Sequence, residues 1–97
     1  MLYRVDWQVE SQNRDDVFAR FVDSRTNSGY DLPDGLIMVG RWHDVCALKG
    51  TSIWKTDDVE LLMQWMQLWN DKLELAISPC IDDEAAGRIC AETLAIS

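Results

Sequence analysis

The sequence is poor in the residues that most site chemistries require. It holds one histidine, His43, and three cysteines, Cys46, Cys80 and Cys90, with no Cys-x-x-Cys pair. A lone imidazole and scattered thiols offer no zinc-ligand spacing. Haem would have to be ligated by His43 or a cysteine without any supporting motif. No metal and no cofactor is therefore expected. An odd cysteine set is also no disulfide framework, and reduced thiols in a cytoplasmic protein are the simplest reading. Basic residues are few, 9 against 17 acidic ones, for a net charge of −8. Nucleic acid rewards clustered Lys and Arg, and anionic membrane surfaces do the same, so neither is an expected partner. No apolar run approaches the roughly 18 residues that a bilayer crossing needs. The N-terminus carries Arg4 and Asp6 where a signal peptide would be apolar. Gly-rich phosphate loops and a recognisable Ser/His/Asp order are missing too.

What is present is a chain of 97 residues, enough for one domain with one modest core. Hydrophobic residues make up 47% and charged residues 27%, the usual range for folded proteins. Five tryptophans is a large number for this length.

Hydrophobic periodicity orders the chain. Tyr3, Val5, Trp7 and Val9 alternate with Arg4, Asp6 and Gln8, which predicts a half-buried strand. Ser11 or Asn13 can cap a helix with a narrow stripe of Val17, Phe18, Phe21 and Val22. Thr26 to Gly35 is rich in turn formers. Leu36 to about Val45 and Thr51 to Lys55 then read as a hairpin turning at Ala47 to Gly50. Asp57, with Glu60 three residues on, predicts the cap of a helix whose main face is Leu62, Trp65, Met66 and Trp69, widened by Leu61 and Leu68. Leu73, Leu75 and Ile77 form a fourth strand that Pro79 is expected to stop. A last helix fits residues 83–95, with Ala85, Ala86, Ile89, Cys90 and Leu94 as packing positions.

The order is β-α-β-β-α-β plus a helix, within one domain whose core spans about 1–80. That predicts an α+β, ferredoxin-like fold with a four-stranded antiparallel sheet and helices on one face. The other sheet face is left open. Strict alternation assigns it Arg4, Asp6 and Gln8, Glu74, Ala76 and Ser78, then Ile37, Val39, Arg41 and His43, with Ile53 and Lys55. Such a mixed apolar and charged face suits a homodimer, though an antiparallel sheet also tolerates solvent there.

Particular residues carry a resemblance. Pro33-Asp34-Gly35, Gly40-Arg41-Trp42-His43-Asp44, Thr56-Asp57-Asp58, Trp65, Trp69-Asn70-Asp71, Glu74 and Ser78-Pro79 are in the chain. Over residues 1–83 it resembles a family of short bacterial proteins of unknown function in the dimeric α/β-barrel superfamily. The resemblance implies the fold and a dimer, but no activity. The superfamily includes cofactor-free monooxygenases, lactone isomerases and haem-degrading enzymes, and a shared fold does not choose among them.

Two features are candidates for a site. His43 titrates near neutrality and is the best proton carrier available. With Arg41 it could bind a small anion or do acid–base work, or it could sit hydrogen-bonded in a dimer seam. Trp7, Trp42, Trp65 and Trp69 could wall an aromatic pocket between sheet and helices, or simply fill the core. Asp57-Asp58 and Asp82-Asp83-Glu84 lie at helix starts, where capping explains them. The expected function is a small homodimeric module that binds a small molecule or a partner protein. The alternative is a cofactor-independent monooxygenase or isomerase acting on a small aromatic or lactone, with His43 as its acid–base group.

Overall fold

The computed structural model describes residues 1–96, except for the side chain of Ser28. Four strands and three α-helices follow in the order β1 (Leu2–Val9), α1 (Arg14–Ser24), β2 (Ile37–His43), β3 (Lys49–Lys55), α2 (Val59–Met66), β4 (Leu73–Cys80) and α3 (Asp83–Ile96). The strands form one antiparallel sheet in the order β2-β3-β1-β4. This is the ferredoxin-like βαββαβ arrangement with a C-terminal helix added.

The alternation of β1 decides which face is covered. Val5 and Val9 are buried, and Val5 lies opposite Ser52 of β3 and Ile77 of β4. On this side α2 lays Leu62, Trp65 and Met66 against Val5, Leu36 and Trp54 to make the main core. Trp54 and Trp65 meet with ring centroids 6.2 Å apart. The Trp54 indole N–H donates to Ser52 Oγ at 2.8 Å, so this buried indole is satisfied within the core.

Several local expectations are corrected by one competing interaction each. Asp58, not Asp57, caps α2, accepting from the Glu60 amide at 3.0 Å, because Thr56 Oγ1 accepts the Asp58 amide and ties that turn together. Asn13 precedes α1 without capping it by its side chain, which instead donates to the Lys72 carbonyl at 3.5 Å. Pro79 does not stop β4. That strand pairs only with β1, and an edge strand accommodates a residue with no N–H to donate.

The largest departure is in β2. Its pairing with β3 shifts register between Met38 and Gly40, leaving Val39 as an extra residue. Beyond this bulge the side-chain parity is reversed. Arg41 now stands opposite Ser52 and His43 opposite Gly50, on the helix-covered side, while Trp42 stands opposite Thr51 on the open side. The expectation that Arg41 and His43 lie on the open face is therefore wrong.

α3 is also unlike its expectation. It buries none of its side chains, and only Ala85 and Ala86 are half-buried. Ile89, Leu94 and Ile96 are exposed. Asp82 caps it, accepting from the Ala85 amide at 2.9 Å. The molecule measures 53 × 32 × 19 Å with a radius of gyration of 16.2 Å. A close-packed chain of this length would have about 12.5 Å. Among the described residues no helix is long and apolar enough to cross a membrane.

Candidate functional site

The bulge assembles a site at one end of the sheet. Past it, His43 meets the edge of Trp7 from β1, ring centroids 5.0 Å apart. His43 also meets Phe21 of α1 at 5.3 Å. The Arg41 guanidinium lies over the Phe21 ring, 4.8 Å from its centroid. Trp7 reaches this position because Gly50 has no side chain. A Cβ there would collide with the Trp7 ring and with the Trp42 carbonyl oxygen. The Trp7 indole N–H is buried and has no acceptor among the described residues. Such a group costs about 1–3 kcal/mol, so packing on Gly50, not a hydrogen bond, sets this ring.

These residues border a cavity of about 530 Å³ between α1 and the turn that joins β2 to β3. Its floor is Val9, Val17 and Trp69, all buried yet outside the main core cluster. Its α1 wall is Phe18 and Phe21. This explains why the stripe of α1 is only partly covered: Val17 is buried and Phe21 half-buried, but Phe18 is 51% exposed. The far wall is the turn itself, including Cys46, which is exposed and free.

The four candidate tryptophans are thus dispersed. Trp7 and Trp69 line the cavity. Trp65 belongs to the main core. Trp42 lies on the open sheet face, 58% exposed, over Gly40. Arg41 and His43 join Trp7 and Trp69 at the cavity. Sequence reasoning missed Phe18 and Phe21 as walls, since their helical spacing reads equally as core. Gly40 was the one available signal of the bulge, because a glycine inside a strand often marks one.

The electrostatics of the cavity oppose those of the chain. Its charged lining is Arg14, Arg41 and Lys49 with a single carboxylate, Asp44. Lys49 pairs with Asp44 at 3.9 Å and Arg14 with Asp15 at 3.0 Å. Arg41 has neither an ion pair nor a hydrogen bond among the described residues, although it is half-buried. Burial, and then the neighbouring charge of Arg25, hold its pKa below the ordinary arginine value. A guanidinium nevertheless stays protonated at neutral pH. Burial, and then the charge of Arg41, push His43 below its ordinary pKa, so the imidazole is mainly neutral at pH 7.

No group of three or more His, Cys, Asp or Glu that could hold a metal ion exists among the described residues. Asp58 and Asp82 each accept a backbone amide at a helix start, as capping requires.

A ferredoxin-like domain with an aromatic cavity beside an unpaired arginine is the class that fold and site define together. The chain belongs to the family described as a domain of unknown function (DUF3303), whose profile matches residues 1–94. The match takes in the bulged strand, the cavity and nearly all of α3. No curated protein matches the chain.

Proposed function

We propose that the protein is a small cytosolic homodimer of the dimeric α/β-barrel kind that binds a small apolar molecule between α1 and the β2–β3 turn. One observation carries this reading. Trp7 and Trp69 border a cavity of about 530 Å³ where a domain this small would ordinarily be filled. Ligand sites commonly have about 300–1,000 Å³ and mostly apolar walls. The three free cysteines accord with a reducing compartment.

The test uses N-phenyl-1-naphthylamine, a neutral dye that fluoresces in apolar sites. Saturable binding that Phe18→Glu abolishes supports the cavity as the site. No saturable binding, either of this dye or of an anionic dye with the same aromatic body, overturns the reading.

A second copy is the partner that best fits the two surfaces left uncovered. The open sheet face presents Ile37 and Trp42, and α3 presents Ile89 and Leu94, all exposed. Four strands of about seven residues give a footprint on the order of 400 Å². A standard interface buries about 800 Å² on each partner, so the sheet face needs the strip that α3 adds. Light scattering at micromolar concentration should give the mass of two chains; a clean mass of one refutes the dimer.

His43 supports a second reading. It borders the cavity, and partial burial and then the charge of Arg41 hold its pKa below the ordinary value, which favours the free-base form. The chain would then be a cofactor-independent monooxygenase or isomerase. Turnover lost in His43→Gln, with dye binding retained, would separate catalysis from binding.

A further inference from the structure

The cavity is not only apolar. It places one uncompensated positive charge in a chain that is acidic almost everywhere else. The formal charge is −8, and 17 carboxylates are available to pair with 9 basic residues. Carboxylates have paired with Arg4, Arg14, Arg20, Lys49 and Lys72. Arg41 is different. It is half-buried, has Phe21 against its plane, and faces no acid.

Leaving a guanidinium partly desolvated without a counter-ion costs stability. Arg25 deepens that cost, since its guanidinium lies 6.0 Å from the centroid of the same Phe21 ring and repels Arg41. A chain this rich in Asp and Glu could relieve the cost by one substitution on α1, and does not. The charge-bearing groups around Arg41 are Arg14 and Arg25 from the α1 side, and His43, Asp44 and Lys49 from the hairpin. Asp44 is taken by Lys49 at 3.9 Å.

We infer that the ligand is an apolar monoanion, an aromatic or aliphatic acid whose carboxylate meets the Arg41 guanidinium while its body lies between Trp7, Phe18, Phe21 and Trp69. This inference rests on the cavity being a ligand site and adds the charge of the ligand. Arginine presents parallel N–H donors that match a carboxylate two-fold, and its stacking on Phe21 holds the fork in place. The aromatic walls cover Arg41 in part, so the pairing is stronger than at a fully exposed surface. The neutral His43 ring borders the same cavity and offers a further N–H donor.

A matched pair of dyes tests the charge. 8-Anilinonaphthalene-1-sulfonate and N-phenyl-1-naphthylamine share one aromatic body and differ by the anionic group. The intact chain should bind the sulfonate at least about 10-fold more tightly, the scale of a hydrogen bond to a charged group. Arg41→Met should remove that preference while leaving the affinity for the neutral dye within about two-fold. Arg41→Lys should restore part of it. Trp42→Ala, on the open sheet face, should leave both affinities unchanged. Phenylacetate should displace the sulfonate, and phenylacetamide should not.

Equal affinity for the two dyes, or a preference that survives Arg41→Met, overturns the anion while leaving the cavity reading intact. Failure of both dyes to bind overturns the cavity reading as well. Sulfonate binding that Trp42→Ala abolishes would place the dye on the open face and also refute the inference. Arg41 has no ion pair or hydrogen bond to lose among the described residues, and methionine keeps an apolar contact with Phe21, so Arg41→Met is expected to fold; far-UV circular dichroism confirms this before binding is read.

Discussion

Trp7 and His43 touch edge to face, with ring centroids 5.0 Å apart, across a glycine. Trp7 comes from the central strand β1 and His43 from the edge strand β2, and Gly50 of β3 lies opposite both. The contact exists because Gly50 leaves room for the indole and because the bulge before Gly40 turns His43 towards the helices. The position of the histidine at the cavity follows from both.

Gly50→Ala tests that contact. The added methyl meets both the Trp7 ring and the Trp42 carbonyl oxygen. Backbone cannot yield cheaply, so the cost should be about 1–3 kcal/mol. Denaturant unfolding should show it, together with a shifted tryptophan emission as the indole moves.

Ser52→Ala should destabilise by about 1–3 kcal/mol. It leaves the buried Trp54 N–H without its acceptor at 2.8 Å. Ser52→Thr, which retains a hydroxyl, should cost less by the same denaturation measurement.

Arg41→Met should raise the thermal midpoint, on the order of 4 °C, because the unpaired charge is removed and the apolar stem is kept. A fall in the midpoint would show that Arg41 is a structural residue. Stability gained and anion affinity lost in the same variant would be the signature of a binding residue.

Two pH dependences have opposite causes. Arg20 donates to both oxygens of Asp71, at 2.6 and 3.2 Å, and holds that carboxyl below its ordinary pKa. The stability from this pair is present above the unfolded carboxyl pKa of about 3.8 and is lost as pH falls through the lower folded value. Asp71→Asn should flatten the acid limb of the midpoint against pH. His43 has a folded pKa below 6.5, so the unfolded chain takes up its proton first and stability declines as pH falls below about 6.5. An anion beside His43 raises its pKa. Affinity for the sulfonate dye should therefore rise as pH drops through this range, and His43→Gln should abolish the rise.

Ile89→Glu with Leu94→Glu tests α3. Both residues are exposed within the chain, 48% and 76%, so far-UV circular dichroism should barely change. The mass by light scattering should fall to that of one chain. An unchanged mass of two chains would place the interface elsewhere.

Much of the fold was legible because it is local. The alternation from Tyr3 to Val9 sets the two faces of β1, and the spacing of Leu62, Trp65, Met66 and Trp69 sets the buried face of the second helical stretch. Those patterns depend only on the period of the backbone. The order of the elements then leaves few ways to cover one face of a sheet. The acidic balance and the single histidine, equally, are composition and need no coordinates.

The site was decided elsewhere. One unpaired residue, Val39, reverses the parity of everything after it in β2 and carries Arg41 and His43 from the open face to the cavity. Alternation has no memory of register, so a bulge is invisible to it except through the hint of Gly40. Likewise an apolar helical stripe says that a face wants cover, not what covers it. Val17 became the buried floor of a cavity, Phe18 its half-exposed wall, and Ile89 and Leu94 stayed exposed. The sequence by itself determined the elements, their order and the scarcity of catalytic groups. Only the tertiary structure decided which of those groups meet, because that depends on pairing register and on long-range packing, which no local period encodes.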